Sequence, residues 1–215
     1  MQCVTDLVKL RDAVISRSRY LRIITRGISA PLAPEELRAL AYAAIELDNL
    51  VVTGLRQYAK SSLLRSRTAA GSRVTANVTP NSPEEAAALV FRSVNPTGFQ
   101  KARNPTAISE RSEAAIRDPK QVEKVLTDYA ASNLSNITLA LSLNADVFAE
   151  VKVFRHFFAH RARNTANEVQ DFAARVGVVG KCRPEHLLVR GRPGTGVRFL
   201  DGWLADIENF FDLAT

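Results

Sequence analysis

Residues 34–64 read PEELRALAYAAIELDNLVVTGLRQYAKSSLL, and this stretch decides the fold. Leu37, Leu40, Ala44, Leu47, Val51, Leu55 and Tyr58 recur at helical spacing and form one apolar stripe. Pro34 suits the first turn of a helix, where its missing N–H costs nothing, and Glu35 and Glu36 complement the positive end of the helix dipole. The pattern predicts one long helix over 34–64. Upstream, Val4, Leu7, Val8, Leu10, Val14, Ile15, Leu21 and Ile24 predict a helix over 4–24, ended by Gly27 and the Pro31/Pro34 segment.

Downstream, residues 66–82 are small, polar and basic and read as a loop. Ser82-Pro83-Glu84-Glu85 is a capping box that opens a helix, which stops before Asn95-Pro96-Thr97-Gly98. Residues 95–106 read as a second loop, basic through Lys101 and Arg103. Asp118-Pro119-Lys120-Gln121 opens the next helix, with apolar positions running from Val122 through Tyr129 and Leu134 to Leu141. Asn144 restarts a helix through Val147, Val151, Phe154, Phe157 and Phe158. Thr165-Ala166-Asn167-Glu168 reads as another capping box, so the preceding helix ends near 161–164 and a new one runs to Gly177. Residues 186–189 and 197–199 flank a Gly/Pro-rich turn and suggest a short β-hairpin near 186–199. A last amphipathic helix covers 200–213. With no repeat and no strand–helix alternation, the chain reads as an all-α helical bundle. The expected organisation is a single domain over 1–215, with the N-terminal helix 1–27 and the loops 66–82 and 95–106 as elaborations.

Composition narrows the function classes. The 215 residues are 46% hydrophobic and 24% charged, which is ordinary globular usage. No stretch approaches the roughly 18 apolar residues of a membrane span, and MQCVTDLVKLRDAV has no apolar signal core. Two cysteines, Cys3 and Cys182, exclude a disulfide-rich scaffold and a Cys-based zinc cluster, and fit a reducing cytoplasm. The net charge is +7, with arginine far in excess of lysine. Arginine binds phosphate bidentately and stacks on bases, so the balance fits either a basic surface or a polyanion partner such as RNA.

Two of the three histidines lie in Arg155-His156-Phe157-Phe158-Ala159-His160. Three readings stand side by side. In the first, the phenylalanines are core, and His160, Arg161 and Arg163 complement the negative end of the helix dipole. In the second, His156 and His160, four apart on one helix face, chelate a metal, although Phe157 stands where H-E-x-x-H has glutamate and no third ligand is apparent. In the third, Arg155 and His160 act on a phosphodiester: histidine titrates near neutrality, and arginine holds the charge that develops on phosphorus-bound oxygen. Five residues apart, the two diverge by about 140° around an ideal helix and by about 7.5 Å along it. A shared site therefore needs a helix break, long side chains or two apposed chains. Glu46, beside the main stripe and between Tyr42 and Leu50, is a candidate to orient Arg155 or a solvated flank residue. Arg65, Arg67 and Arg73 either track a phosphate backbone or keep a loop solvated. Gly191-Arg192-Pro193-Gly194-Thr195-Gly196 lacks the Gly-Lys-Ser/Thr of a P-loop and reads as a turn.

Arg-x-x-x-x-His with a polar residue after the arginine, in a late helix followed by a turn, resembles the signature of HEPN domains, and R-H-F-F-A-H-R is close to the R-N-x-x-A-H form common in that family. The segment L-A-Y-A-A-I-E-L-D-N-L also resembles an early helix of such domains. The resemblance covers roughly residues 35–65 and 120–177. It implies a metal-independent endoribonuclease without cofactor, working as a homodimer, with Arg155 and His160 of two protomers lining a cleft and His156 in the supporting polar position. It also implies a 2′,3′-cyclic phosphate product from attack by the RNA's own 2′-OH, and a toxin or phage-defence role with an antitoxin or inhibitor protein as partner. Members silenced by adenylylation carry a tyrosine two residues after the histidine; Ala162 stands there, so this chain departs from that subtype. Other members have lost catalysis, which leaves a non-catalytic module that binds nucleic acid or a partner as the alternative.

Overall fold

The structure, a computed structural model, describes residues 6–101, 106, 108 and 112–215. Over these it is all-α: ten helices, with isolated β-bridges in place of any sheet. In chain order they are α1 (Leu7–Ile24), α2 (Pro34–Leu63), α3 (Pro83–Val94), α4 (Pro96–Gln100), α5 (Pro119–Asp128), α6 (Leu134–Leu141), α7 (Val147–His160), α8 (Arg163–Arg175), α9 (Pro184–Val189) and α10 (Phe199–Ala214). Cys3 and Arg103 lie outside the described residues. No helix among the described residues is long and apolar enough to cross a membrane.

Contacts gather into two compact units. One takes Met1–Val14, Val51–Asn144 and Asn209–Thr215, as far as these are described. Its core holds Leu7, Leu10 and Val14 of α1, Val51, Leu55 and Leu63 of α2, Val122, Val125 and Leu126 of α5, and Phe210 and Phe211 of α10. Gly54 has a packing reason: a Cβ there would come within 2.7 Å of the Phe211 ring. The buried Tyr58 hydroxyl donates to the Ala214 carbonyl at 2.5 Å and accepts from Asn133 Nδ2 at 3.0 Å. Asn133 Nδ2 also donates to Ser62 Oγ at 2.9 Å, and burial pushes the Tyr58 phenol far up from its ordinary range.

Several expectations need correction in this unit. The helix expected to run from Val122 to Leu141 is two helices, α5 and α6, because Ala130 is left-handed (φ 50) and Asn133 is drawn into the Tyr58–Ser62 network. Residues 96–100 are helical rather than loop: Asn95 Oδ1 accepts from the Gly98 N–H at 2.9 Å and caps α4. Ser82 caps α3 as expected, but Glu85 Oε2 accepts from the Asn81 N–H, one residue earlier than the expected reach. The 66–82 segment is a loop stitched to its surroundings. Val74 is fully buried, the Leu7 N–H donates to the Arg67 carbonyl at 2.8 Å, and the Ala69 N–H donates to the Thr215 carbonyl at 2.8 Å.

The other unit takes Ile15–Leu50 and Ala145–Glu208. Its core is aromatic: Phe154 of α7 meets Phe172 of α8 at 5.3 Å and Trp203 of α10 at 5.1 Å, all edge-on. Leu40, Ala44 and Leu47 of α2 are buried here, as are Val147, Val151 and Phe158 of α7. At the start of α7, Trp203 Nε1 donates to Glu150 Oε2 at 2.7 Å, and Arg192 binds both Glu150 and Asp146. Burial raises the Glu150 and Asp206 carboxyls in this cluster, the Trp203 and Arg192 contacts working against it at Glu150. The expected strand at 186–189 is helix α9, begun by Pro184 at its first turn. The expected hairpin reduces to one bridge, Gly191 with Arg198, around the Gly/Pro turn.

Candidate active site

The site is built on α7, on the elbow that follows it, and on the two helices that flank it in the same unit. Phe154 and Phe158 turn into the core and fix the rotation of α7. Arg155 therefore stays half-exposed, as do His156 and Phe157, while His160 is exposed. Phe158 is thus a core residue and Phe157 is not.

Alpha-7 stops abruptly. Arg161 is left-handed (φ 47), and its N–H donates to the Phe157 carbonyl at 2.6 Å. The chain then extends at Ala162 and α8 begins at Arg163. Thr165 is buried and works backward: its hydroxyl accepts from the Ala162 N–H at 3.2 Å and donates to the Ala162 carbonyl at 2.9 Å. It is the third residue of α8 rather than its cap, so the expected box is displaced by three residues. His160 is the last residue of α7, and the helix break needed for a shared site follows it directly. Arg161 and Arg163 are exposed on this elbow.

Glu168 is consequently free of any capping role, and it faces α7. Its Oε2 stands 3.0 Å from His156 Nδ1. A carboxylate only accepts, so Nδ1 carries the hydrogen in this contact. The His156 and His160 rings meet edge-to-face, 5.0 Å between centroids. Glu168, His156 and His160 thus form a short line of contact in which a carboxylate orients the first imidazole and that ring buttresses the second. Among the described residues no three His, Cys, Asp or Glu side chains are grouped to hold a metal ion.

Arg155 points to α2. Its Nε lies 3.9 Å from Oδ2 of Asp48, whose side chain is 2% exposed. That separation is an ion pair without a hydrogen bond, and Arg155 Nε makes no hydrogen bond among the described residues. The guanidinium is held toward Asp48 by charge rather than by a bond through Nε. Glu46, read as either an orienter of Arg155 or a solvated flank residue, pairs with a different neighbour: Oε2 accepts from Arg17 Nη2 of α1 at 2.6 Å, and Oε1 accepts from Asn49 Nδ2 at 3.2 Å. Two residues apart on a helix means about 200° of rotation, so Glu46 and Asp48 face opposite ways. Asp48 and Glu168 are the residues sequence reasoning missed. Asp48 sits next to the core residue Leu47, and Glu168 is masked by its plausible capping position.

The structure thus brings together Arg155 with Asp48, and His156 with His160 and Glu168. Arg65, Arg67 and Arg73 are exposed in the other unit, Arg67 and Arg73 opposite each other in an antiparallel bridge. No family model, curated protein or solved structure matches the chain, so the site is argued on its own geometry.

Proposed function

We propose that the chain is a metal-independent endoribonuclease. The observation that carries this reading is Arg155: a half-exposed arginine whose Nε lies 3.9 Å from a buried carboxylate without a hydrogen bond, on the helix that ends in His160. A guanidinium is a ready ligand for the non-bridging oxygens of a phosphodiester. His160 takes the proton of the RNA 2′-OH as that oxygen attacks phosphorus, or supplies the proton to the departing 5′-oxygen. The bond from phosphorus to the 5′-oxygen breaks, leaving a 2′,3′-cyclic phosphate and a 5′-OH. His156, oriented by Glu168, positions the His160 ring.

Because Arg155 and His160 diverge around one helix, the complete site is assembled by a homodimer that apposes two α7 motifs across a two-fold axis. Such an activity needs restraint in a cell, which suits a toxin or defence effector held by an inhibitor protein. Neither proposed role calls for a divalent ion. With the full chain and an unstructured oligoribonucleotide, cleavage should persist in excess EDTA, and the products should carry cyclic phosphate ends by mass spectrometry. Activity lost in EDTA and restored by manganese or zinc would contradict the assignment and return His156 and His160 to the metal reading. Oligonucleotide binding with no cleavage under any condition would leave the non-catalytic binding module.

A further inference from the structure

The exposed face of α1 carries a second feature that the catalytic reading does not use. Tyr20 and Ile23 are large apolar residues left open to solvent, 44% and 70% exposed. They stand one turn apart, with Arg19 next to Tyr20 in sequence and Arg26 in the turn just past the end of α1. Both arginines are exposed, and no carboxylate among the described residues pairs with either. Arg22, between them in sequence, is engaged by Glu208 at 3.0 Å.

The Tyr20 ring is not simply left outside. The Arg17 guanidinium lies over one of its faces, 5.0 Å from the centroid. Arg17 is itself fixed from α2, donating to Tyr42 Oη at 2.8 Å and to Glu46 Oε2 at 2.6 Å, and Asn49 steadies Glu46. A chain of polar contacts therefore holds the cation, the cation holds one face of the ring, and much of the ring remains open. A supported aromatic ring flanked by unpaired arginines is what a single-stranded nucleic acid needs: a base stacks on the ring while the adjoining phosphates meet the cations. A duplex cannot use it, because its bases are already stacked.

We propose that Tyr20, backed by Arg17 and flanked by Arg19 and Arg26, is a stacking platform for one base of single-stranded RNA. This rests on RNA as the ligand class of the proposed function, and it adds a binding surface on α1 separate from the residues that do chemistry.

The test uses the full chain and a short, unstructured 2′-O-methyl oligoribonucleotide labelled with fluorescein, which has no 2′-OH to attack, so that binding is read without cleavage. Tyr20→Ala should weaken binding about 5- to 160-fold, the range expected for loss of one base–aromatic stack. Tyr20→Phe should bind within a factor of about two of the wild type, since the ring alone stacks. Arg19→Gln combined with Arg26→Gln should lower the slope of log affinity against log salt by about 1.4, or ~0.7 for each lost phosphate contact. Tyr20→Trp adds an exposed indole to a chain whose own Trp203 is fully buried; its emission should be quenched as the oligonucleotide saturates. Wild-type affinity in Tyr20→Ala, or an unquenched Tyr20→Trp at saturation, overturns the platform while leaving the ribonuclease reading intact. Equal affinity for single strand and duplex also overturns it. Quenching by phosphatidylserine vesicles but not by the oligonucleotide would assign the face to a membrane surface instead. Failure of the wild type to bind any oligonucleotide would defeat both readings together.

Discussion

Arg17 and Arg155 both reach from a neighbouring helix to a carboxylate of α2, and the two contacts could hardly be less alike. Arg17 makes two hydrogen bonds, at 2.6 Å to Glu46 and at 2.8 Å to Tyr42, and the Glu46 bond raises its pKa further. Arg155 Nε stands 3.9 Å from Asp48 Oδ2 and makes no hydrogen bond among the described residues. Yet Glu46 is the more exposed carboxylate and Asp48 is fully buried. The first arginine is a structural clamp. The second lies near its carboxylate with no bond through Nε, which suits the proposed role as a ligand for a transient negative charge.

The largest expected difference between them is in turnover. Arg155→Ala should lower kcat by ~10²–10³-fold, the range for removing one charge-stabilising donor. Arg155→Lys should not restore it, because a point charge cannot reproduce the planar two-donor fork. Arg17→Ala should instead spare kcat, raise KM through the Tyr20 face and lower stability by about 0.2–1 kcal/mol, the usual worth of an exposed ion pair. Cleavage kinetics with denaturant unfolding on both variants reads this contrast. Equal kcat losses would erase the distinction.

A somewhat smaller effect belongs to Asp48. It touches no substrate in this account and acts by holding Arg155, so Asp48→Asn should lower kcat by up to ~10²-fold, the scale of a slight misplacement of a catalytic group. Its KM should change little. The diagnostic is the pairing with Arg155→Ala: the double variant should be scarcely worse than Arg155→Ala alone. Independent, multiplying losses would show that Asp48 acts elsewhere.

How much of this was legible in the sequence depends on whether the decisive contact is local. Pro34 with Glu35 and Glu36, the Gly27 and Gly177 stops and the Ser82 cap all work within one helical turn, and α2, α1, α8 and α3 start or end close to where those signals stand. The break between α5 and α6 carries no such signal. Ala130 adopts a left-handed conformation that alanine does not advertise, and Asn133 is recruited by Tyr58 from 75 residues away. The run Leu187-Leu188-Val189 fits helix and strand alike, and Pro184 tips it to helix. In the site, His156 and His160 share a helix face by their spacing alone. Their link to Glu168 was hidden, because Thr165 turns back to serve Ala162 and frees Glu168 from the capping box. That Asp48 and not Glu46 lies toward Arg155 was hidden for a similar reason. Composition marks both as carboxylates beside an apolar stripe, and only the packing of α1 and α7 around α2 says which faces which.

The elbow offers the smallest effect and the sharpest control. Arg161 pays for its left-handed backbone, and glycine there would relieve it, so Arg161→Gly should raise stability by up to about 1 kcal/mol. The lost cation should lower the salt slope of RNA affinity by about 0.7, leaving His160 in place. Thermal melts and salt-dependent binding on this one variant separate the backbone role of residue 161 from its charge. A destabilised Arg161→Gly would mean that the Arg161 side chain, not its backbone, holds the turn.

The claim that decides the account is that His160 moves a proton. The measurement is single-turnover cleavage of an oligoribonucleotide by the wild type and by His160→Ala, with circular dichroism on both. A positioned acid–base group contributes ~10²–10⁴-fold, while an exposed histidine at a helix end is worth only about 0.3–1 kcal/mol of stability. The predicted result is a rate lowered by that factor with helicity unchanged. Cleavage by His160→Ala at the wild-type rate, with the same helicity, would contradict the ribonuclease assignment.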